Sequence, residues 1–283
     1  MFDEQLAYRK LFLIRRTEEE IAARYSQEKM RTPTHLSIGQ EAAAVGTMMA
    51  LDDSDHVYST HRSHAHYLAK GGSLDALIAE LYGKAAGAAG GWGGSMHLAD
   101  ESVGFMGTSA IVGSSIAIAT GSALAFRLGG SHRSVLSIIG DAGPETGVFL
   151  ESVSFAALHQ LPLIFIVENN GYATSTAIAD RQPPSPMVDR VEGFGLSTYH
   201  CDDTDLAMVS EAVSEALAHT PAFVEIATYR YLEHVGPNID WDEGYRTREE
   251  VEAHMAMDPL ESTKEHLLEQ GLGDEIFALE QEI

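Results

Sequence analysis

Apolar residues follow two spacings along this chain, one helical and one of short unbroken runs. From about Glu4 to Tyr25, Leu6, Leu11, Leu13, Ile14 and Ile21 recur among charged positions and predict an amphipathic helix. A second helix is predicted over about Gly39 to Ala50. A third starts at Ser73, a favourable N-cap, and runs to Tyr82. The glycine-rich stretch from Gly83 to Gly94 reads as a loop, and Trp92, Met96 and His97 mark it as one that packs against something.

In the centre, Ser134 to Ile139 is a short apolar run ending at Gly140-Asp141. Glu145 to Gln160 has helical spacing, with Val148, Ser152, Phe155 and Ala156 on one face. Pro162 to Val167 is a second apolar run, ending at Glu168-Asn169-Asn170. Two strands apolar on both faces, joined through a helix, predict a right-handed parallel βαβ unit. A further helix, capped by Asp203 or Thr204 and reaching His219, precedes a strand from Ala222 to Ala227. Beyond Thr247, whose Glu250 completes a capping-box pattern, the tail reads as helical and acidic, with interruptions at Pro259, Gly271 and Gly273. No repeat or internal boundary emerges. The expectation is one α/β domain over residues 1–283, a parallel sheet flanked by helices with helical N- and C-terminal extensions.

Ser102 to Phe126 carries no charge and is long enough to span a bilayer. Gly104, Gly107, Gly113, Gly121 and several Ser and Thr residues make it a poor span, and it reads instead as a helix buried between protein layers. Composition narrows the picture further. Forty-five per cent hydrophobic content over 283 residues supports a large core. Forty-two acidic against 18 basic residues give a formal charge of −24, which argues against binding nucleic acid or anionic membrane surfaces. Positive charge must then be placed locally if an anion is to be held. Cys201 is the only cysteine, so no intrachain disulfide forms, and the acidic start Met1-Phe2-Asp3-Glu4 resembles neither a secretory nor a transit signal. A cytoplasmic protein is expected.

Ligands collect beyond the carboxyl ends of parallel strands. Asp141 and Asn170 both fall there, 170 − 141 = 29 residues apart, so one crossover brings a carboxylate and a carboxamide oxygen side by side. Hard oxygen ligands suit Mg²⁺ with room left for phosphate oxygens, and the main-chain carbonyl of Tyr172 can complete the set. The helix predicted to start near Pro144-Glu145 turns its positive end to the same place. Gly140-Asp141 alone fits phosphatases and sugar-phosphate enzymes equally; Asn169-Asn170 after the next strand narrows the choice.

Gly-Asp followed about thirty residues later by Asn-Asn is a thiamine diphosphate fingerprint. The surrounding segments resemble the alpha subunit of thiamine diphosphate-dependent 2-oxo acid dehydrogenases of the pyruvate, branched-chain and acetoin types. They are His35-Leu36-Ser37-Ile38-Gly39-Gln40-Glu41-Ala42, His61-Arg62-Ser63-His64, Gly93-Gly94-Ser95-Met96-His97, Ala110-Ile111-Val112-Gly113, Tyr229-Arg230-Tyr231 and Tyr245 to Glu250. The matches keep order and spacing from about residue 6 to 260.

The resemblance implies a thiamine diphosphate-binding fold, its diphosphate-binding half, with Asp141, Asn170 and the Tyr172 carbonyl holding Mg²⁺. It further implies that Arg62 and His234 contact the diphosphate, with His61 beside them. Ala110 and Val112 meet the aminopyrimidine while Ile111 packs nearby, and Ala142 and Gly143 line the phosphate loop. His35 lies near the 2-oxo acid and, with His234, is the catalytic expectation. In this family the bound cofactor decarboxylates a 2-oxo acid and the acyl unit passes to a lipoyl group on an acyltransferase. The glutamate that activates the cofactor comes from a beta subunit. No segment here resembles the beta-type half, so an α2β2 heterotetramer is implied.

Other residues are weighed against that frame. His61, His64 and His66 form an H-x-x-H-x-H cluster, but without a nearby cysteine or carboxylate triad it reads as loop contacts to cofactor and substrate rather than a transition-metal site. Glu41 reads as a structural residue at a helix start, not as the activating acid. His97 is placed near the subunit junction, Glu151 reads as solvated, and Arg230 either reaches phosphate or pairs with a local acid. Three positions depart from the family: Ala142 stands where a glycine is usual, His61 where an aromatic is usual, and Leu232-Glu233-His234 where His-Gly-His is usual. Val235 replaces a serine phosphorylated in regulated animal enzymes, so that control is not expected. The rival readings are a two-subunit carboligase or transketolase-like enzyme acting without a lipoyl complex, and a scaffold that has lost turnover. The joint presence of His35, Arg62, Asp141, Asn170 and His234 argues against the scaffold.

Overall fold

Six parallel strands form a sheet in the order β2-β1-β3-β4-β8-β7 in the computed structural model, which describes residues 2–283. The strands are β1 (His56–Thr60), β2 (Phe105–Ser109), β3 (Val135–Gly140), β4 (Leu163–Asn169), β7 (Ser197–Asp202) and β8 (Ala222–Ala227). A small antiparallel ribbon, β5 (Tyr172–Ala173) and β6 (Thr176–Ala177), follows β4. The helices are α1 (Glu4–Tyr25), α2 (Glu41–Met49), α3 (His64–Ala69), α4 (Leu74–Leu81), α5 (Ser114–Gly129), α6 (Gly147–His159), α7 (Met187–Glu192), α8 (Leu206–Ala218), α9 (Arg248–Met255), α10 (Pro259–Glu269) and α11 (Gly273–Glu282).

The unbroken apolar runs follow from a sheet covered on both faces. Leu136, Ile138, Ile164, Ile166, Val224 and Ile226 point into one core, with side chains of α1, α2 and α8. Val135, Ile139, Leu163, Phe165, Val167 and Phe223 point into the other, against α5, α6 and α7. Truncating a residue such as Ile164, fully buried, would cost about 2–5 kcal/mol.

Local chemistry sets the element ends. Ser73 caps α4 by accepting from the Ala76 amide at 3.3 Å, and Thr247 caps α9 by accepting from Glu250 at 3.1 Å. The cap of α8 is Asp205, whose carboxylate takes the amides of Ala207 and Met208, rather than Asp203 or Thr204. Pro259 opens a helix instead of interrupting one, with Asp258 as its cap.

The uncharged stretch from Ser102 to Phe126 is not one helix. It divides into β2, a turn at residues 110–113 and α5, because Gly107 and Gly113 break the helical path; Gly113 has φ +81°, and a Cβ there would sit 2.8 Å from Thr146 Oγ1. Nor is α5 covered on all sides: Ile118 and Leu128 are 60% and 80% exposed. On neighbouring α6, Leu150, Phe155 and Leu158 are exposed as well, which continues an apolar outer face. Among the described residues no helix is long and apolar enough to cross a membrane. Strands β1 and β7 lack an apolar run, His56 and the polar edge segment Ser197–Asp202 being mixed, and the sequence pattern does not reveal them.

Candidate active site

The connection after β1 runs to β2 on one side of the sheet, and the connection after β3 runs to β4 on the other. The carboxyl ends of β1 and β3 therefore flank a switch-point crevice. A cavity of about 220 Å³ opens there, and it gathers the residues expected from sequence. His61 and Arg62 arrive after β1, Ala110, Ile111 and Val112 after β2, Asp141, Ala142 and Gly143 after β3, and Asn170 and Tyr172 after β4. His35 and His234 come from loops outside the sheet.

The oxygen side is built by the β3–α6 and β4–β5 turns. Asp141 is 3% exposed, and burial pushes its carboxyl above the usual range, an effect that Arg181 opposes. Arg181 donates to Asp141 Oδ2 and to Glu145 Oε1. Gln182 Nε2 donates to the Asp141 carbonyl at 2.6 Å and to Glu145 at 2.8 Å. The Asn170 side chain accepts from the Tyr172 amide at 3.1 Å and donates to Gln40 Oε1 at 3.2 Å. The Asp141 carboxylate and the Asn170 carboxamide thus line the cavity together with Tyr172. This donor set suits a hard cation, and the Arg181 guanidinium already supplies positive charge beside it.

Ala142 has φ −82° and ψ −14°, ordinary right-handed backbone, so its methyl introduces no strain. Gly143 is the tight position, since a Cβ there would lie 2.8 Å from the Ile139 side chain. The helix predicted from Pro144 starts later: Gly143–Glu145 is a single 3₁₀ turn and α6 begins at Gly147.

Three imidazoles line the same cavity. His35 and His61 pack edge-on with ring centroids 4.4 Å apart, His35 and His234 at 5.0 Å, and His61 and His234 at 5.3 Å. Burial, with help from the neighbouring imidazoles and Arg62, brings His35 down to about 2 and His234 to about 3; burial and Arg62 bring His61 to about 4. All three are neutral near pH 7. Arg62 is 6% exposed; it donates to the Leu36 carbonyl and, at 3.1 Å, to that of His234, which ties the two outer loops to the end of β1. Burial lowers its pKa to about 10.

His64 and His66 do not join this group. They lie on α3, not on a loop: His64 Nε2 meets Ser95 Oγ at 2.8 Å and its Nδ1 lies 3.2 Å from Glu18, while His66 bridges Ser59 Oγ at 3.0 Å and Glu168 Oε1 at 2.7 Å. Arg230 pairs with Asp240 at 3.1 Å and donates to the Thr174 carbonyl and the Tyr245 hydroxyl, so it holds the local acid and not the cavity. Glu41 is buried, pairs with Arg15 and accepts from the Gly39 amide at 2.8 Å, the structural role its place at a helix start suggested. His97 Nδ1 meets the Thr108 carbonyl at 3.2 Å, and Glu151 is exposed. Sequence reasoning missed Gln40, Glu168, Met96 and Arg181. Of these, Gln40 and Met96 fall inside the segments that carry the resemblance and Glu168 just before Asn169-Asn170, whereas Arg181 arrives from a loop with no pattern of its own.

A switch-point cavity with an oxygen-rich wall on a parallel sheet is consistent with the α/β thiamine diphosphate-binding fold, and solved structures agree on that fold. The transketolase from Campylobacter jejuni superposes with a TM-score of 0.67 over 96% of this chain, at 17% identity, and the chain spans about half (51%) of that protein. The sequence profile described as Dehydrogenase E1 component matches residues 9–280. The pyruvate dehydrogenase E1 component subunit alpha of Rhizobium meliloti is 36% identical over 99% of this chain and 82% of its own length. The alpha subunit of acetoin:2,6-dichlorophenolindophenol oxidoreductase from Cupriavidus necator is 39% identical over 80% of this chain and 70% of its own. The chain belongs to the dehydrogenase E1 component family, as an alpha subunit of the thiamine diphosphate-dependent 2-oxo acid dehydrogenase type.

Proposed function

We propose that this chain binds thiamine diphosphate through Mg²⁺ on Asp141, Asn170 and the Tyr172 carbonyl, and that with a beta subunit it decarboxylates a 2-oxo acid and passes the acyl unit to a lipoyl group. One observation carries the reading: Asp141, Asn170 and Tyr172 share a cavity with Arg62, Ala110, Val112, His35 and His234 at the sheet's switch point. Thiamine diphosphate, when bound, supplies the nucleophilic carbon that adds to the ketone and the electron sink for loss of CO₂.

The chain's residues do the rest. Arg62 and His234 face the diphosphate, and Ala142 and Gly143 lay backbone alongside it. Ala110, Ile111 and Val112 meet the aminopyrimidine. His61 borders the diphosphate end. His35, held neutral, offers a hydrogen bond to the substrate oxygen without placing a charge there, and can take or release a proton at an imidazole nitrogen.

A partner chain is supported by the exposed apolar side chains next to the cavity. Ile111 and Val112 line it and are 72% and 52% exposed, and α5 and α6 carry further exposed apolar side chains. An α2β2 heterotetramer delivering to a lipoyl-bearing acyltransferase accounts for that surface. The single-domain organisation over 1–283 and a cytoplasmic location are part of the same reading, the latter supported by one buried free cysteine, Cys201. The test is single-turnover assay of the assembled enzyme with a panel of 2-oxo acids and a lipoyl domain. Reductive acylation of the lipoyl domain is the expected result; acyloin or ketose product with no lipoyl transfer would contradict it.

A further inference from the structure

The Asn170 carboxamide is gripped at both ends. Its Oδ1 accepts from the Tyr172 amide at 3.1 Å, and its Nδ2 donates to Gln40 Oε1 at 3.2 Å. A carboxamide oxygen has two lone pairs, so one of them is left for a cation. Gln40 is a firm anchor. It is 3% exposed, its own amide donates to the Ser37 carbonyl at 2.8 Å, and Glu41 beside it is locked by Arg15 and the Gly39 amide. Gln40 occupies the N-cap of α2, yet its side chain makes no bond to that helix end. Glutamine is not a favoured cap either, so the helix start does not explain the residue.

We propose that Gln40 is a positioning residue for the metal: by accepting from Asn170 Nδ2, it keeps the carboxamide oxygen turned toward the cation. This role rests on the reading that Asp141, Asn170 and the Tyr172 carbonyl hold Mg²⁺. Turned over, Asn170 would present its NH₂ group both to the cation and to the Tyr172 N–H, two repulsive contacts. The Tyr172 amide thus selects the oxygen end, and Gln40 holds the other end from a point 130 residues away in the chain. Groups that orient a metal ligand from behind typically carry about 10–100-fold in metal affinity.

The test uses the chain assembled with its beta subunit, saturated with thiamine diphosphate and free of substrate. Mn²⁺ stands in for Mg²⁺, since both take hard oxygen ligands in octahedral geometry, and free Mn²⁺ is counted by electron paramagnetic resonance. Gln40→Leu, checked for native circular dichroism, should raise the Mn²⁺ Kd by about 10–100-fold. Gln40→Glu still accepts from Asn170 Nδ2 and should bind Mn²⁺ at least as tightly as the wild type. In an Asn170→Asp background, where both ends of the side chain are oxygen, adding Gln40→Leu should cost far less than it does beside Asn170. Unchanged Mn²⁺ affinity in Gln40→Leu, or an equal loss with Asn170 and with Asp at that position, would overturn the positioning role while leaving the metal site in place. Wild-type enzyme that binds no Mn²⁺ with thiamine diphosphate would overturn the metal reading itself, and this role with it.

Discussion

Arg181 closes on the carboxylate of Asp141 from a loop 40 residues further along the chain, and the same guanidinium holds Glu145. Both partners are largely buried, at 11% and 4% side-chain exposure, so the pair neutralises a charge that would otherwise sit unpaired in the cavity wall. A cation arriving at Asp141 must share that carboxylate with Arg181 or displace it. Arg181→Gln should therefore destabilise the cofactor-free chain by about 3–5 kcal/mol, the usual penalty for orphaning a buried charge. Mg²⁺ with thiamine diphosphate should restore more stability in the variant than in the wild type, because a new cation takes the vacated place. Asp141→Ala should instead abolish the Mg²⁺ dependence of cofactor binding. Denaturant melts with and without Mg²⁺ check both, and equal metal-induced gains in all three proteins would remove Asp141 from the metal site.

His35 packs edge-on against the imidazoles of His61 and His234 in the cavity wall. His35→Ala should lower kcat by roughly 10²-fold or more, the range for a lost proton-transfer group, and change cofactor Kd much less. Steady-state kinetics beside equilibrium binding separate the two. A loss of cofactor affinity with kcat preserved would move His35 away from the substrate.

The three neutral imidazoles also set an acid limit. Their folded pKa values of about 2, 4 and 3 lie below the unfolded value of about 6.5, so between those values the unfolded chain binds more protons. Their contribution is complete above about pH 6.5 and falls away as pH drops toward 4. Urea midpoints measured from pH 7.5 down to 4.5 should decline, and replacing all three by Gln should flatten the decline. An unchanged slope in the triple variant would show that other groups govern acid sensitivity.

Glu80 organises the glycine-rich loop from inside. Its two carboxylate oxygens accept from the amides of Ala89, Gly91, Gly93 and Gly94 at 2.7–2.9 Å, and these bonds hold its pKa down against burial, which pushes it up. The loop ends at Ser95 and Met96, which reach His64 and the cavity. Glu80→Gln keeps the shape, but its NH₂ group can accept from no amide. It should cost about 2–4 kcal/mol, being a charged group with several bonds. Hydrogen exchange at Gly91, Gly93 and Gly94 should accelerate together. Protection left intact would assign the loop's order to other contacts.

The sheet's centre and its ligand-bearing turns were legible because they are local. Strands β3 and β4 are apolar on both faces, and Asp141 and Asn170 follow them directly. Two flanking strands were not: β1, next to the edge, carries His56, and the edge strand β7 carries Tyr199, His200 and Asp202, so neither shows an apolar run. In the site, His35, His61 and His234 were each legible through motif resemblance, but their mutual contact was not. It joins positions far apart in sequence, through loops that only the tertiary fold brings together. His61, His64 and His66 showed the opposite failure. Close spacing suggested one cluster, while the turn into α3 directs His64 and His66 away from the cavity. Arg181 was invisible for a similar reason, as the loop carrying it follows no period.

The most direct measurement is native mass spectrometry of this chain purified from its own source in the presence of Mg²⁺. The predicted result is an α2β2 particle whose mass includes thiamine diphosphate and Mg²⁺, both lost together when Asp141 is replaced by Ala. A stable particle of this chain alone, without bound thiamine diphosphate even when the cofactor is added, would contradict the account.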